Sequence, residues 1–188
     1  MTDTLFTRTG RTDLAPQWQP AWDTLNKLTG DATFVEVFAQ APETLEFVMQ
    51  QFYMKVFFGG QVAQRYKQLA RLKLSLIHGC RTCNKQNVPG ALEAGFTPAQ
   101  IEALIDGRLE GFSAADKAVI AYAEQVALCN MDGQMTPALF AELRAHFSEA
   151  ELLELGTAMA VISGMAKLSF VLDLVEREGY CPFATKAA

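Results

Sequence analysis

Two cysteines separated by two residues lie in the most reactive segment of this chain. The stretch HGCRTCNKQN contains Cys80 and Cys83, which share one face of any helix that includes both. Sulfurs placed in this way can form a reversible disulfide, and the flanking Arg81, Lys85 and His78 favour the thiolate that such chemistry needs. The segment therefore predicts thiol–disulfide chemistry.

Two other interpretations of the cysteine pair are open. Cysteine is among the most buried residue types, so the pair could be inert core. Zinc would need four ligands, and Cys129, Cys181 and His146 stand isolated elsewhere in the sequence. The polar neighbours of the pair favour the redox interpretation, with no metal. Cys129 is expected to be a structural core thiol and Cys181 a loop thiol.

Two polar residues near the pair each have a catalytic and a structural interpretation. His78 suits proton exchange with a thiol, but it equally fits a residue that caps a helix C-terminus beside Gly79. Asn87 lies on the same helical stripe as the cysteines. It is either a polar site residue or the cap of a following turn, because Pro89 is expected to disrupt the helix.

The composition limits the possible partners and the compartment. The chain has 188 residues, half of them apolar, and a net charge of -5. No basic patch suits nucleic acid. The N-terminus has no signal-peptide pattern, so a reducing, cytoplasmic setting is expected. Residues 155–175 are the most apolar, but they contain Lys167 and Asp173. They predict a buried or interface helix rather than a membrane span.

The elements that must position the pair are helices. The periodicity predicts an all-α fold of eight or nine helices in a single domain over residues 16–188, preceded by a flexible arm over residues 1–15. Thr97, Ser113 and Ser148 predict helix starts with capping boxes. The Met- and Phe-rich residues 47–58 are expected to form core or a subunit interface, rather than a pocket.

Residues 66–104, YKQLARLKLSLIHGCRTCNKQNVPGALEAGFTPAQIEAL, resemble the alkylhydroperoxidase-like (AhpD-like), carboxymuconolactone decarboxylase superfamily. Looser similarity extends over nearly the whole chain. The resemblance implies an all-α domain that assembles into trimers or hexamers. It also implies that Cys83 attacks a peroxide and that Cys80 resolves the product into a disulfide.

The resemblance further implies a proton relay of a glutamate twelve residues before the pair and a histidine four residues after it. These positions hold Gln68 and Asn87, and neither amide can take up a proton near neutral pH. A straight helix of twelve residues would separate Gln68 from Cys80 by about 18 Å. A meeting of the two therefore requires a bend or another subunit.

The leading hypothesis is a thiol-dependent oxidoreductase, a weak peroxidase or disulfide reductase. It would use Cys83 and Cys80, with His78, Gln68 and Asn87 as further site residues. Its partners would be a peroxide or disulfide substrate, a dithiol donor of unknown identity and further copies of the chain, with no nucleic acid, membrane or bound cofactor beyond the redox-active disulfide. One alternative is a decarboxylase-type enzyme acting on a small organic acid, with Arg65, Arg71 and His78 as its candidate residues. The other is a non-catalytic redox-sensing oligomer.

Overall fold

The computed structural model describes residues 4–179, and in this part of the chain the secondary structure is helical. An isolated bridge between Cys80 and Arg177 is the one β-type pairing there. The all-α fold class is therefore confirmed. The nine α-helices of the described residues are α1 (Gln19–Thr29), α2 (Thr33–Phe38), α3 (Pro42–Glu46), α4 (Gln64–His78), α5 (Arg81–Glu93), α6 (Pro98–Ile105), α7 (Ala114–Val126), α8 (Pro137–Arg144) and α9 (Glu149–Val171).

Several helices begin at the caps that the sequence predicts. The side chains of Thr97, Ser113 and Ser148 each accept a hydrogen bond from the backbone N–H three residues later. The side chain at that later position in turn accepts a hydrogen bond from the backbone N–H of the capping residue. This reciprocal pairing satisfies donors that a helix N-terminus otherwise leaves open. Helix α1 ends at Gly30, whose φ of 75° is the left-handed conformation that glycine adopts easily.

The helical segment that begins at Pro42 changes type partway. Helix α3 ends at Glu46, and Phe47–Phe57 is a π-helix. Its wider turn suits the spacing of Phe52 and Phe57, which lie five residues apart and are both buried. This segment packs against α9, so tertiary packing decides its geometry.

Helix α4 lies at the centre of the domain and packs against α5, α7 and α9. The main core joins α4 and α5 to helices α6 to α9 and includes Leu72, Val119, Leu143 and Leu155. A second cluster collects Trp18, Val35, Phe38, Leu45 and Leu174 from the N-terminal elements and the segment after α9. The main core holds α4 and α5 in place, and these two helices carry the cysteine motif.

The described part of the predicted arm contacts the domain. Leu14 is buried, the Thr9 N–H donates to the Glu36 carbonyl at 3.0 Å, and Arg8 forms an ion pair with the Glu36 carboxylate. These contacts place the described part of the arm, residues 4–15, against the helical domain. The mobility of the arm and a domain boundary at residue 16 stay predictions.

Helix α9 is long and apolar enough, by length and composition alone, to cross a membrane. That is weak evidence, because a core helix passes the same test. Ala158 and Met159 are buried against neighbouring helices, whereas Leu153 and Val171 are exposed. The pattern fits a helix with one buried and one open apolar face.

Candidate active site

The turn between α4 and α5 positions the two cysteines. Gly79 adopts φ 63° and ends α4, and the chain re-enters helix with Cys80 as the N-cap of α5. Cys83 is the third residue of α5. A disulfide joins the two residues, whose Cα atoms lie 5.2 Å apart. The two cysteines are therefore bonded to each other rather than being two separate core thiols.

The two sulfurs differ in their surroundings. Cys80 is 0% exposed and packs with Phe170 and Val175, whereas Cys83 is partly buried and lines a cavity. The Cys80 Sγ accepts a hydrogen bond from the Cys83 N–H at 3.2 Å. A molecule that enters the cavity therefore meets Cys83 first.

The segment after α9 covers the motif. The Glu176 carbonyl accepts the Arg81 N–H at 2.9 Å, the Glu176 N–H donates to Thr82 Oγ1 at 2.8 Å, and the Glu178 N–H donates to the Gly79 carbonyl at 2.9 Å. These bonds hold the segment over the start of α5, which explains why Cys80 is inaccessible.

The basic residues flanking the motif do not face the sulfurs as expected. Lys85 Nζ lies 3.2 Å from a Glu176 carboxylate oxygen, and Arg81 Nε lies 4.0 Å from the same oxygen. The Arg81 side chain is 57% exposed. Their charges are therefore offset by Glu176 at the protein surface. The start of α5 is a source of positive potential at Cys83.

His78 is a buried neutral hydrogen-bonding group. It is 2% exposed, and its Nε2 accepts the Leu128 N–H at 3.2 Å, which places the ring proton on Nδ1. Burial lowers the pKa of His78 to about 4. The proposed proton exchange with a thiol therefore fails near neutral pH. The cap interpretation is also wrong for the side chain, because the Gly79 and Cys80 N–H groups close the end of α4.

Helices α4 and α5 form a hairpin that brings Gln68 to α5. A Cβ atom built at Gly90 would lie 2.8 Å from Gln68 Oε1. One turn earlier on α5, Asn87 Nδ2 donates to the Arg71 carbonyl at 3.4 Å. The reversal of direction at Gly79 thus brings Gln68 against α5 at Gly90, seven residues beyond Cys83, within one subunit.

Asn87 lies inside α5, so the expectation that it caps a following turn is wrong. Pro89 stands within the same helix and does not end it. Both Gln68 and Asn87 are buried, and Gln68 Oε1 and Asn87 Oδ1 have no hydrogen-bond partner among the described residues. Two buried acceptors without partners thus line the cavity, at the positions where the family resemblance implies a glutamate and a histidine.

A cavity of about 640 Å³ opens beside Cys83. Its walls come from α1, the π-helix, α4, α5 and α9, and Gln68, His78 and Asn87 line it together with Cys83. Apolar side chains form much of the rest, namely Leu25, Leu28, Phe34, Val48, Met49, Tyr53, Met54, Phe58, Ile162 and Met165. The Met- and Phe-rich stretch is therefore partly a pocket wall, so the expectation that it forms only core or a subunit interface is wrong.

The two arginines proposed for the organic-acid alternative lie in different settings. Arg65 forms a bidentate pair with Asp116 at 3.1 and 2.9 Å and does not line the cavity. Arg71 lines the cavity and is 6% exposed. Helical spacing alone could not distinguish these two residues, because the difference depends on which neighbouring helix each one faces.

Cys129 is exposed, so its assignment as a core thiol is wrong. Helix α7 ends at Val126, and Cys129 lies in the turn beyond it rather than on the buried face of a helix. Cys181 lies outside the described residues. Within residues 4–179, no group of three or more His, Cys, Asp or Glu side chains is arranged to hold a metal ion.

The model of the carboxymuconolactone decarboxylase family matches residues 42–125. No curated protein sequence matches the chain significantly. The matched residues run from the start of α3 almost to the end of α7, and they include the cysteine pair, Gln68 and Asn87.

Solved structures with the same fold include the debrominase Bmp8. Its apo form superposes with a TM-score of 0.74 at 18% identity and covers 97% of this chain and 96% of Bmp8. A cysteine-to-alanine variant of Bmp8 in complex with 2,3,4-tribromopyrrole gives 0.73 at 18% identity, with 97% and 95% covered. A protein of unknown function from Agrobacterium tumefaciens, a candidate antioxidant defence protein AhpD, gives 0.62 at 22% identity, with 72% and 92% covered.

Proposed function

We propose that this chain, whose residues 42–125 match the carboxymuconolactone decarboxylase family model, is a thiol-dependent oxidoreductase of the alkylhydroperoxidase-like type. The observation that carries the proposal is the asymmetric disulfide. Cys83 borders the cavity, whereas Cys80 is fully buried behind it. An accessible nucleophile backed by a buried resolving thiol is the arrangement that a two-step thiol mechanism needs.

In the proposed reaction the Cys83 thiolate attacks the terminal oxygen of a hydroperoxide. The O–O bond breaks, Cys83 becomes a sulfenic acid, and an alcohol leaves after taking up one proton. Cys80 then attacks the Cys83 sulfur, which forms the disulfide and releases water. An external dithiol reduces the disulfide and becomes a disulfide itself, so two electrons pass from the dithiol to the peroxide.

The site favours the thiolates in this cycle through backbone groups, because Arg81 and Lys85, which flank the motif, pair with Glu176. Cys83 lies in the first turn of α5, where the open N–H groups favour negative charge. The Cys83 N–H that donates to Cys80 Sγ would favour the Cys80 thiolate during the resolving step.

Proton transfer is the weak part of the proposed mechanism. Gln68 and Asn87 do not titrate, and His78 is neutral at pH 7 because burial lowers its pKa to about 4. General acid–base help is worth roughly 10²–10⁴-fold in rate. We therefore expect slow turnover, with His78 Nδ1–H and the two amides limited to hydrogen bonding.

Steady-state peroxide consumption with a small dithiol donor tests the proposal. Cys83→Ser is expected to abolish turnover, and Cys80→Ser is expected to allow no more than a single oxidation of Cys83. Cys129→Ser provides the matched control, since Cys129 is an exposed thiol outside the cavity. Turnover by the wild type that survives in Cys83→Ser would contradict the proposal. A disulfide that forms without any turnover would favour the redox-sensor alternative instead.

A second candidate is reductive removal of a halogen from an aromatic ring. Two observations favour it. The cavity beside Cys83 has largely apolar walls, and the debrominase Bmp8 shares the fold over 97% of this chain. In such a reaction an aryl bromide and the two thiols would yield the aryl hydrogen compound, bromide, a proton and the disulfide. Bromide released in proportion to disulfide formed would support it, whereas peroxide turnover without bromide release from a bromoaromatic would favour the first proposal.

We also propose that the chain acts as a cytoplasmic homo-oligomer, a trimer or hexamer. Leu153 and Val171 expose apolar surface on α9, and Phe47 and Met54 do so on the π-helix. Apolar residues on one face of a long helix are typical of subunit contacts. Light scattering after gel filtration tests this, and a monomer at micromolar concentration would contradict it.

A further inference from the structure

Arg71 is a buried cation that the proposed peroxide chemistry does not use. Its residue is 6% exposed and lines the cavity. Among the described residues its side chain forms no ion pair and no hydrogen bond. Its contacts are aromatic, because the guanidinium carbon lies 5.4 Å from the ring centroids of both Tyr53 and Phe57. We infer that Arg71 binds the anionic group of the ligand, and that the cavity takes an acid with an apolar body.

Comparison with the other cations of α4 supports a ligand-binding role. Lys67 lies one turn before Arg71 on α4 and is also buried. Its Nζ, however, pairs with Glu154 at 2.7 Å and donates to the Val56 carbonyl at 2.8 Å. Arg65 has Asp116. The fold therefore supplies an acid where a basic residue of α4 has a structural role, and it supplies none to Arg71.

The energetics of a buried charge point the same way. Removing a guanidinium from water is unfavourable unless an anion or several acceptors compensate, and two ring faces offset only part of that loss. A carboxylate that enters the cavity would complete the pair, with both partners already shielded from water. Arginine also presents two parallel N–H donors, which match the two oxygens of a carboxylate.

The other residues that line the cavity indicate the chemistry of the part of the ligand that does not bind Arg71. Asp31 and Glu93 also line it, but neither lies within 4.0 Å ion-pair distance of Arg71 in the described structure. Much of the remaining wall is aliphatic, aromatic or thioether. The ligand class is therefore a carboxylate with an aliphatic or aromatic body. This inference rests on the proposed function only in placing the ligand beside Cys83; the binding itself requires no turnover.

Isothermal titration of the oxidised, full-length protein tests the inference separately from catalysis. The probes are 2-naphthoate and 2-naphthylmethanol, which share a ring system and differ in charge. The wild type is expected to bind the acid at least about tenfold more tightly than the alcohol, a difference of about 1.4 kcal/mol. Arg71→Met is expected to lose this preference, and Arg71→Lys to keep only part of it.

Arg108→Met is the matched control, because it removes the same charge from an exposed arginine that does not line the cavity. It is expected to retain the wild-type preference. Equal binding of both probes by the wild type, or no binding of the acid, would overturn the inference even if Arg71→Met does not fold. An unchanged preference in Arg71→Met would also overturn it. Naphthoate binding that is retained in Cys83→Ser, together with loss of turnover, would support this inference because binding does not need the thiol. Failure of the wild type to turn over peroxide would count against the proposed function alone.

Discussion

Lowering the pH should destabilise this protein through His78. Burial lowers the pKa of His78 from 6.5 to about 4, while the unfolded chain keeps the ordinary value. Between these values the unfolded state binds more protons than the folded state. Stability is therefore fully present above the unfolded pKa and is lost as the pH falls toward the folded pKa.

The size of the effect follows from the two values. Relative to pH 7.5, the free energy of unfolding should fall by about 2 kcal/mol at pH 5 and by about 3 kcal/mol at pH 4 from His78 alone. Charging the ring would also abolish the acceptor at Nε2, which takes the Leu128 N–H. The turn after α7 should therefore loosen together with the end of α4.

Urea denaturation of the wild type and His78→Gln over this pH range measures the effect. Glutamine retains an acceptor for the Leu128 N–H but does not titrate, so the difference between the two proteins isolates the histidine. His146→Gln is the matched control because His146, the other histidine, is exposed. A difference between wild type and His78→Gln that stays constant from pH 7.5 to pH 4 would refute the burial argument.

Two further predictions concern the relay positions and a buried ion pair. The double variant Gln68→Glu, Asn87→His places titratable groups at both relay positions. It should raise the kcat/KM for peroxide by about 10²-fold or more, since general acid–base catalysis contributes roughly 10²–10⁴-fold. Stopped-flow measurement of peroxide consumption tests this. Lys67→Met should lower the free energy of unfolding by about 3 kcal/mol, because the Glu154 carboxylate keeps its backbone N–H donors at Gln61 and Val62 but loses the 0%-exposed cation that pairs with it. Urea denaturation at pH 7.5 measures this effect.

Each of these predictions has a control within the chain. The two single relay variants should each gain less than the double variant, and no gain in the double variant, with disulfide formation intact, would count against Gln68 and Asn87 as relay positions. Lys73→Met removes an ion pair whose Glu124 side chain is 49% exposed, and it should change stability by less than about 1 kcal/mol. Equal effects of the Lys67 and Lys73 variants would contradict the buried-pair argument.

The features predicted correctly from sequence are those decided within a few residues. The boxes at Thr97, Ser113 and Ser148 depend on a side chain and a backbone group three residues apart, so the pattern contains the whole interaction. The cysteine spacing likewise predicted the disulfide, because residues three apart in the first turn of a helix are neighbours.

The features that the sequence did not predict depend on tertiary packing. Pro89 remains inside α5, and Phe47–Phe57 winds as a π-helix against α9. Neither outcome can be derived from local propensity. The neutral state of His78 arises from its burial against the chain at Leu128, fifty residues away. Arg71 looked equivalent to Arg65 in sequence, but only Arg65 faces an acid from α7.

The central claim is that Cys83 is the nucleophile and Cys80 the resolving thiol. Treating reduced Cys80→Ser protein with a slight excess of hydroperoxide, followed by a sulfenic-acid trap and peptide mass spectrometry, tests it most directly. The account predicts that Cys83 is labelled well before Cys129, whereas in Cys83→Ser the buried Cys80 is not labelled ahead of Cys129. Labelling of Cys80 in place of Cys83, or oxidation of Cys83 no faster than that of Cys129, would contradict the account.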